Sequence, residues 1–467
     1  MRSPGKVFGC LLFSLLSSVS VAVPPALAII ASSQPATELT LDQSKAAIAV
    51  TLPAHTYSSF YIDLPSNVAT LTVRTFGASG DVDLLIRQGI QHTATTVQGL
   101  IDQSAYVANS NNGNEQIVIS RASSPQPLTP GRWWLTLSNP TDVSVSVQLD
   151  ASTTLAGTAF ALSAGQSGAW YQPTKTFQGY FLEMLSPSQA LVIWFTYEPT
   201  GKQAYLLGIG NVVGDTITFP ELTHTRGGRY GDSFNAANVV RENWGSLVMT
   251  FDSCSHGYAS YLQSELAWSQ GWPTEQLNID RLTTISGLGC PTAFTANTQT
   301  QSKYLRSGSS GAFYDPSRSG EGWFTEILSD TLGLIYWFTY TPTGDQAWFA
   351  GIGEIHDGSV VVRDAAQPVG GLFGEGYNPA QVALNPWGDY TMTFTDCNAA
   401  VLAAFGRPAG YGYFDNSQVQ RLTTLAGTNP CGFALPPVTV SGTVQAPGNS
   451  FADGDTNNPA TPNRDND

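Results

Sequence analysis

The stretch WFTYEPTGKQAYLLGIG at Trp194–Gly210 returns 143 residues later as WFTYTPTGDQAWFAGIG at Trp337–Gly353, identical at 12 of 17 positions. The likeness spreads outward from there. GAWYQP is matched by GAFYDP, GYFLEML by GWFTEIL, NWGSLVMTF by PWGDYTMTF, and RLTT stands near the end of both copies. Two copies of one unit, 168–290 and 311–432, thus make up more than half of the chain. A unit of this length is too long for a propeller blade, and two copies could not close a ring. Each copy must fold around a core of its own.

Within the unit, apolar and aromatic runs are broken by Gly, Pro and Asn, a strand–turn rhythm. In PTG at Pro199–Gly201 and Pro342–Gly344, proline sets φ and glycine accepts positive φ, so the repeated stretch reads as a hairpin. Each copy offers about eight short strands and little helical periodicity. The expected fold is all-β, each repeat an antiparallel barrel or a small sandwich. The barrel is preferred because closure leaves no exposed edge. Only 12% of residues are charged, which suits a turn-rich β protein.

The N-terminus reads as an address. Arg2 and Lys6 precede the apolar run VFGCLLFSLLSSVSVAV, and ALA at Ala26–Ala28 has the small-x-small form of a cleavage site. Residues 1–28 are read as a signal peptide, which places the protein outside the cytoplasm, secreted, periplasmic or at the cell surface. No other stretch is long and apolar enough to span a bilayer, so no membrane insertion is expected after cleavage. Removing the leader leaves a formal charge of 18 − 35 = −17. Without a basic run to reverse it locally, that charge argues against nucleic acid as a partner.

Four cysteines remain beyond the leader, two per repeat at matching places. In an oxidising compartment the economical connectivity is Cys254–Cys290 and Cys397–Cys431, one disulfide per repeat. No CxxC spacing supports a metal reading.

Two sets of residues in the repeat bear on function. Alternation in GYFLEML puts Phe181, Glu183 and Leu185 on one face, and Phe324, Glu326 and Leu328 match them. A carboxylate on an inward, apolar face needs a partner. The arginine of RLTT recurs in both copies, which predicts the ion pairs Glu183–Arg281 and Glu326–Arg421. The alternative makes these carboxylates catalytic or ligand-binding. The recurring aromatics are core residues on the simplest reading. As binding platforms the candidates are Tyr180, Trp323, Tyr205 and Trp348, with Tyr180 and Trp323 facing opposite to the Phe–Glu–Leu row. The repeat is similar to modules of comparable length in exported bacterial proteins of undefined activity, which implies export and modularity and supplies no site residues.

Residues 38–152 have another pattern, with alternation in ATLTVRTF and VSVSVQLDA. The motifs SGDVDLLIR at Ser79–Arg87, NEQIVI at Asn114–Ile119 and PGRWWLTLSN at Pro130–Asn139 resemble the bacterial pre-peptidase C-terminal (PPC) domain. That resemblance implies a β-sandwich serving adhesion, substrate targeting or stability, and in some members calcium binding. Asp81 and Asp83 are where calcium would be sought. Two carboxylates alone do not make a calcium site, and turn capping is the other reading. Linkers are expected at 153–167 and 291–310. The tail 433–467, rich in Asn, Pro and Asp, reads as disordered.

No HExxH, GxSxG elbow or phosphate-binding loop occurs, and none of the five histidines is shared between the copies. The reading is an exported modular binding or adhesion protein, non-catalytic, contacting polysaccharide or other cell-surface polymer. The alternatives are a secreted hydrolase with a carboxylate site in the repeats, or a structural envelope protein.

Overall fold

The computed structural model describes residues 31–32, 36–39, 47–273, 276–295 and 305–428. The expected leader and tail, and Cys431 with the pairing expected for it, lie outside these residues. The described chain is all-β apart from two short helices, α1 (Val97–Asp102) and α2 (Glu265–Ser269), and a few single 3-10 turns.

The N-terminal part is two stacked sheets. Its strands are β1 (Ala31–Ser32), β2 (Thr37–Glu38), β3 (Ile48–Leu52), β4 (Thr56–Leu64), β5 (Val68–Phe76), β6 (Asp83–Gln88), β7 (Tyr106–Ala108), β8 (Gln116–Ser120), β9 (Gly131–Asn139) and β10 (Val145–Leu155). One sheet runs β1-β4-β9-β6-β7 with β2 also on β4, and the other runs β3-β10-β5-β8. The inward residues of both, among them Leu71, Ile86, Trp133 and Leu149, form one core. This is a sandwich, the fold that the resemblance implied.

Each repeat closes into an eight-stranded antiparallel barrel. The first comprises β11 (Gly168–Tyr171), β12 (Gly179–Ser186), β13 (Gln189–Tyr197), β14 (Gln203–Val213), β15 (Thr216–Arg226), β16 (Val240–Phe251), β17 (His256–Gln263) and β18 (Gln276–Arg281). The second comprises β19 (Gly311–Tyr314), β20 (Gly322–Ile327), β21 (Leu332–Tyr340), β22 (Gln346–His356), β23 (Ser359–Val369), β24 (Ala383–Phe394), β25 (Ala399–Gly406) and β26 (Gly412–Arg421). The barrel reading holds, and so does the hairpin: β13 pairs with β14 from Gln189↔Asn211 to Tyr197↔Gln203. Cys254 and Cys290 are bonded, with Cα atoms 5.8 Å apart. The stretch 153–167 holds the end of β10 and a 3-10 turn at Ala164–Gln166.

Neither barrel has a lumen. Trp170, Tyr180, Trp194, Trp244 and Tyr261 fill the first, and Phe313, Trp323, Trp337, Trp387 and Tyr390 the second, all at most 2% exposed. Each filling is completed by the other repeat. Phe373, in the loop after β23, enters the first barrel 4.6 Å from Trp272 and 5.3 Å from Trp194. Its equivalent Tyr230, in the loop after β15, enters the second barrel 4.7 Å from Tyr411 and 5.6 Å from Trp337.

Candidate functional site

The repeated hairpins are where the barrels meet. Along β12 the odd and even residues are both buried, because the strand has apolar neighbours on each side. Tyr180, Leu182 and Met184 face the barrel core. Phe181 packs outward with Phe195 and Tyr205 against Phe324, Phe338 and Trp348 of the other barrel. The Phe181–Glu183–Leu185 row therefore faces the partner barrel and not the barrel interior. The inward assignment is corrected: alternation sorts residues into two faces, and here a second domain covers the outer one.

The same correction applies to the aromatic candidates. Tyr180 is 1%, Trp323 0%, Tyr205 2% and Trp348 2% exposed. Tyr180 stacks on Trp194 at 5.1 Å and Trp323 lies 5.5 Å from Trp337, each inside its barrel. Tyr205 and Trp348 are seam residues. None of the four offers an open ring face to a sugar.

Gln203 and Gln346, polar residues inside otherwise apolar runs, hold the seam reciprocally. Gln346 Oε1 accepts from the Tyr205 backbone N–H at 2.9 Å, and its Nε2 donates to the Tyr205 carbonyl at 3.2 Å. Gln203 does the same to Trp348, at 3.3 and 3.0 Å. The neighbouring position differs between copies, and the difference is complementary: Lys202 Nζ meets Asp345 Oδ1 at 2.8 Å.

The glutamates do not pair with the arginines of their own repeats. Glu183 Oε2 accepts from Thr423 Oγ1, and Glu326 Oε2 accepts from Thr283 Oγ1 at 2.5 Å, each across the seam. The partner does lie in RLTT, but it is the first threonine of the other copy. Each threonine oxygen also accepts a backbone N–H, from Ala169 to Thr283 and from Ala312 to Thr423, both at 2.8 Å, which aims its own proton at the glutamate. Arg281 instead donates to the carbonyls of Gly165 (2.6 Å), Ser167 (3.2 Å), Cys254 (2.8 Å) and Thr283 (3.4 Å). Arg421 has the equivalent set: Gly308, Ser310, Cys397 and Thr423. With its donors used on carbonyls, the guanidinium cannot turn toward the seam.

Burial pushes the Glu183 carboxyl up to about 8, against the pull of the Thr423 hydroxyl and the Arg421 charge. Burial likewise raises Glu326 to about 7, opposed by Thr283 and Arg281. Such values suit general acids, but both residues are at most 3% exposed and bonded across the seam, so a substrate cannot reach them.

In the sandwich, burial raises Asp83 to about 7, helped by Asp81 and by Glu115, which sequence reading missed. Glu115 Oε1 is committed to the Ser110 N–H and hydroxyl, both at 2.6 Å. No three acidic, histidine or cysteine side chains among the described residues converge to hold a metal ion. Of the histidines, His256 Nδ1 lies 3.0 Å from Asp252 Oδ1, and that hydrogen bond raises its pKa.

An accessible concavity lies at one end of the seam. It is a cleft of about 310 Å³ between β11–β12 of the first barrel and β22–β24 of the second. Tyr180 and Trp348 border it; Trp323 and Tyr205 do not. Its outer wall is the loop Lys175–Gln178, pinned from both sides. Lys175 Nζ donates to the Gly374 carbonyl at 2.8 Å, Tyr377 donates to the Thr176 carbonyl, and Tyr197 donates to the Phe177 carbonyl at 3.1 Å.

No protein-family model matches the chain, and no curated protein matches it. Among solved structures it is similar to PliG of Aeromonas hydrophila, a periplasmic lysozyme inhibitor of g-type lysozyme. Identity is 10%, the alignment covers 26% of this chain and 99% of that one, and the TM-score is 0.18. A likeness at that level carries no argument about function.

Proposed function

We propose that this chain is an exported, non-catalytic binding protein that contacts polymers or other material of a cell surface. One observation carries the reading. The carboxylates that recur in the Phe–Glu–Leu rows, Glu183 and Glu326, are shut in the seam and hydrogen-bonded there across it. The disulfide Cys254–Cys290 supports an oxidising compartment, and no helix among the described residues is long and apolar enough to cross a membrane. The resemblance of 38–152 to PPC domains supports a targeting or adhesive role for the sandwich.

The test is to probe arrays of glycans and cell-wall polymers with the purified chain, with and without calcium, while assaying product release. Binding without turnover is expected. Release of product from any polymer would establish the hydrolase instead, and silence on every array would leave the envelope-protein reading. Calcium-dependent binding lost on Asp81→Asn and Asp83→Asn would return the metal to the sandwich.

A further inference from the structure

The two seam ends are built from equivalent residues, so their differences can be read directly. At one end, Arg241 Nη2 donates to Ser319 Oγ at 2.9 Å, and the hydroxyls of Tyr205 and Tyr340 both reach the Gly320 carbonyl, at 3.0 and 3.1 Å. A Cβ at Gly320 would lie 2.8 Å from Val239 Cγ1, so that end has no room to spare. At the other end Leu384 replaces Arg241 and Pro368 replaces Thr225. Ala350 and Ala366, facing each other across β22 and β23, replace Leu207 and Thr223. Phe177 stands where the sealed end has Gly320, and holds φ of +64° that a non-glycine residue rarely adopts. Leu384, Pro368, Ala350 and Ala366 are thus smaller or less polar than Arg241, Thr225, Leu207 and Thr223, while Phe177 is larger than Gly320, and the cleft lies at this end.

From this we infer that the cleft is a binding site for a neutral, apolar group of one or two rings, a reading that deepens the proposed binding function. No charged side chain lines it. Phe195, Tyr336 and Trp348 form its floor, Tyr336 4.8 Å from Phe195 and Phe195 5.5 Å from Trp348. Phe195 and Trp348 are at most 2% exposed, so the ring surface that an aromatic guest would meet is that of the half-buried Tyr336 and of Phe177 at the mouth. An apolar cavity of about 150 Å³ already takes up benzene, and this cleft is about twice as large. Its mouth keeps three apolar side chains in water: Phe177 at 40%, Leu384 at 50% and Leu282 at 54% exposure. A guest would cover them, and the hydrophobic effect would then favour binding.

The full chain is titrated with 2-naphthol by calorimetry, with 2-naphthoate and naphthylmethylammonium as charged counterparts. Saturable binding of one 2-naphthol per chain, and at least about tenfold weaker binding of both ions, is expected. In the double variant Ala350→Leu, Ala366→Thr, the side chains of the sealed end are installed where the backbone is equivalent, so folding should be retained. Its affinity for 2-naphthol should fall more than about tenfold with an unchanged or higher Tm. Absence of 2-naphthol binding to the parent chain up to about 1 mM would overturn the inference. So would undiminished binding by a folded double variant. A folding failure of that variant is met by Leu384→Arg, a rim change that should weaken 2-naphthol binding in the same direction. Polymer-array results bear only on the surface-binding proposal, so the two can fail separately.

Discussion

At the scale of single residues, the seam glutamates set a pH dependence. Both carboxyls have folded values above the ordinary range near 4.5, about 8 for Glu183 and about 7 for Glu326. A carboxyl raised on folding binds more protons in the folded state, so stability falls as pH climbs from the ordinary value near 4.5 to the raised folded value. The contribution is complete below about 4.5 and is lost by about 8. Exchanging both for glutamine keeps an acceptor for Thr423 and Thr283 while removing the titration. Thermal melts of Glu183→Gln, Glu326→Gln should therefore show a Tm advantage over the parent that grows from pH 5 toward pH 8. A constant difference across that range would mean that the glutamates do not titrate there. The Glu–Arg pairing was half legible in the sequence. A carboxylate in an apolar run needs a partner, and the partner does come from RLTT. What the sequence could not show is that the arginine is occupied by four carbonyls, leaving the neighbouring threonine to cross the seam.

At the scale of elements, the hairpin of the repeated motif was legible because PTG punctuates it between two apolar and aromatic runs. Its purpose was not. The motif contains one position whose charge reverses between copies, Lys202 against Asp345, and one buried amide present in both, Gln203 and Gln346. Together these were the available signal that the two copies touch each other there. Their energetic weights should differ. Lys202 and Asp345 are about half exposed, so breaking their ion pair by Lys202→Ala should change stability by no more than about 1 kcal/mol. Gln346→Ala leaves the Tyr205 N–H and carbonyl buried without their partner, which should cost about 1–3 kcal/mol. Urea denaturation of the two variants, measured side by side, gives the comparison; equal effects would contradict the seam assignment. The disulfide, also read correctly from spacing in the first repeat, closes a 36-residue separation. Replacing Cys254 and Cys290 with serine should cost about 3–4 kcal/mol.

At the scale of the whole molecule, the all-β class follows from residue patterns that a reader of the sequence can see, while the sandwich came from a resemblance and the repeats were open to a barrel or a small sandwich. Strand alternation cannot say that a barrel's outer face is also buried, and that is why Tyr180 and Trp323 looked like open platforms. A chain position that faces a core and one that faces a neighbouring domain carry the same apolar signature. The exchange of Phe373 and Tyr230 between barrels was equally hidden, since both sit in glycine-rich loops that read as turns. The exchange makes each barrel dependent on the other. Phe373→Ala should cost about 3–5 kcal/mol although the residue belongs to the second repeat and the void forms in the first. The first repeat produced alone, residues 160–295, would lack that ring and expose Phe181, Phe195 and Tyr205. It should self-associate in light scattering; a well-folded monomer would show that the barrels are independent.

Gln346 grips the backbone of Tyr205 as Gln203 grips that of Trp348, and the aromatic plugs are traded in the same manner, so the repeats are related by an approximate twofold rotation. Two identical unlinked repeats joined this way would form an isologous dimer, in which every change appears twice. Opening one seam end would open both, and a lysine at position 202 would face a second lysine. Joining the repeats in one chain breaks that compulsion. One end can become a bolt, closed by Arg241 and two tyrosines, while the other keeps a vacancy framed by Ala350 and Ala366. The covalent link therefore gives the molecule a division of labour that its architecture, left symmetric, would forbid.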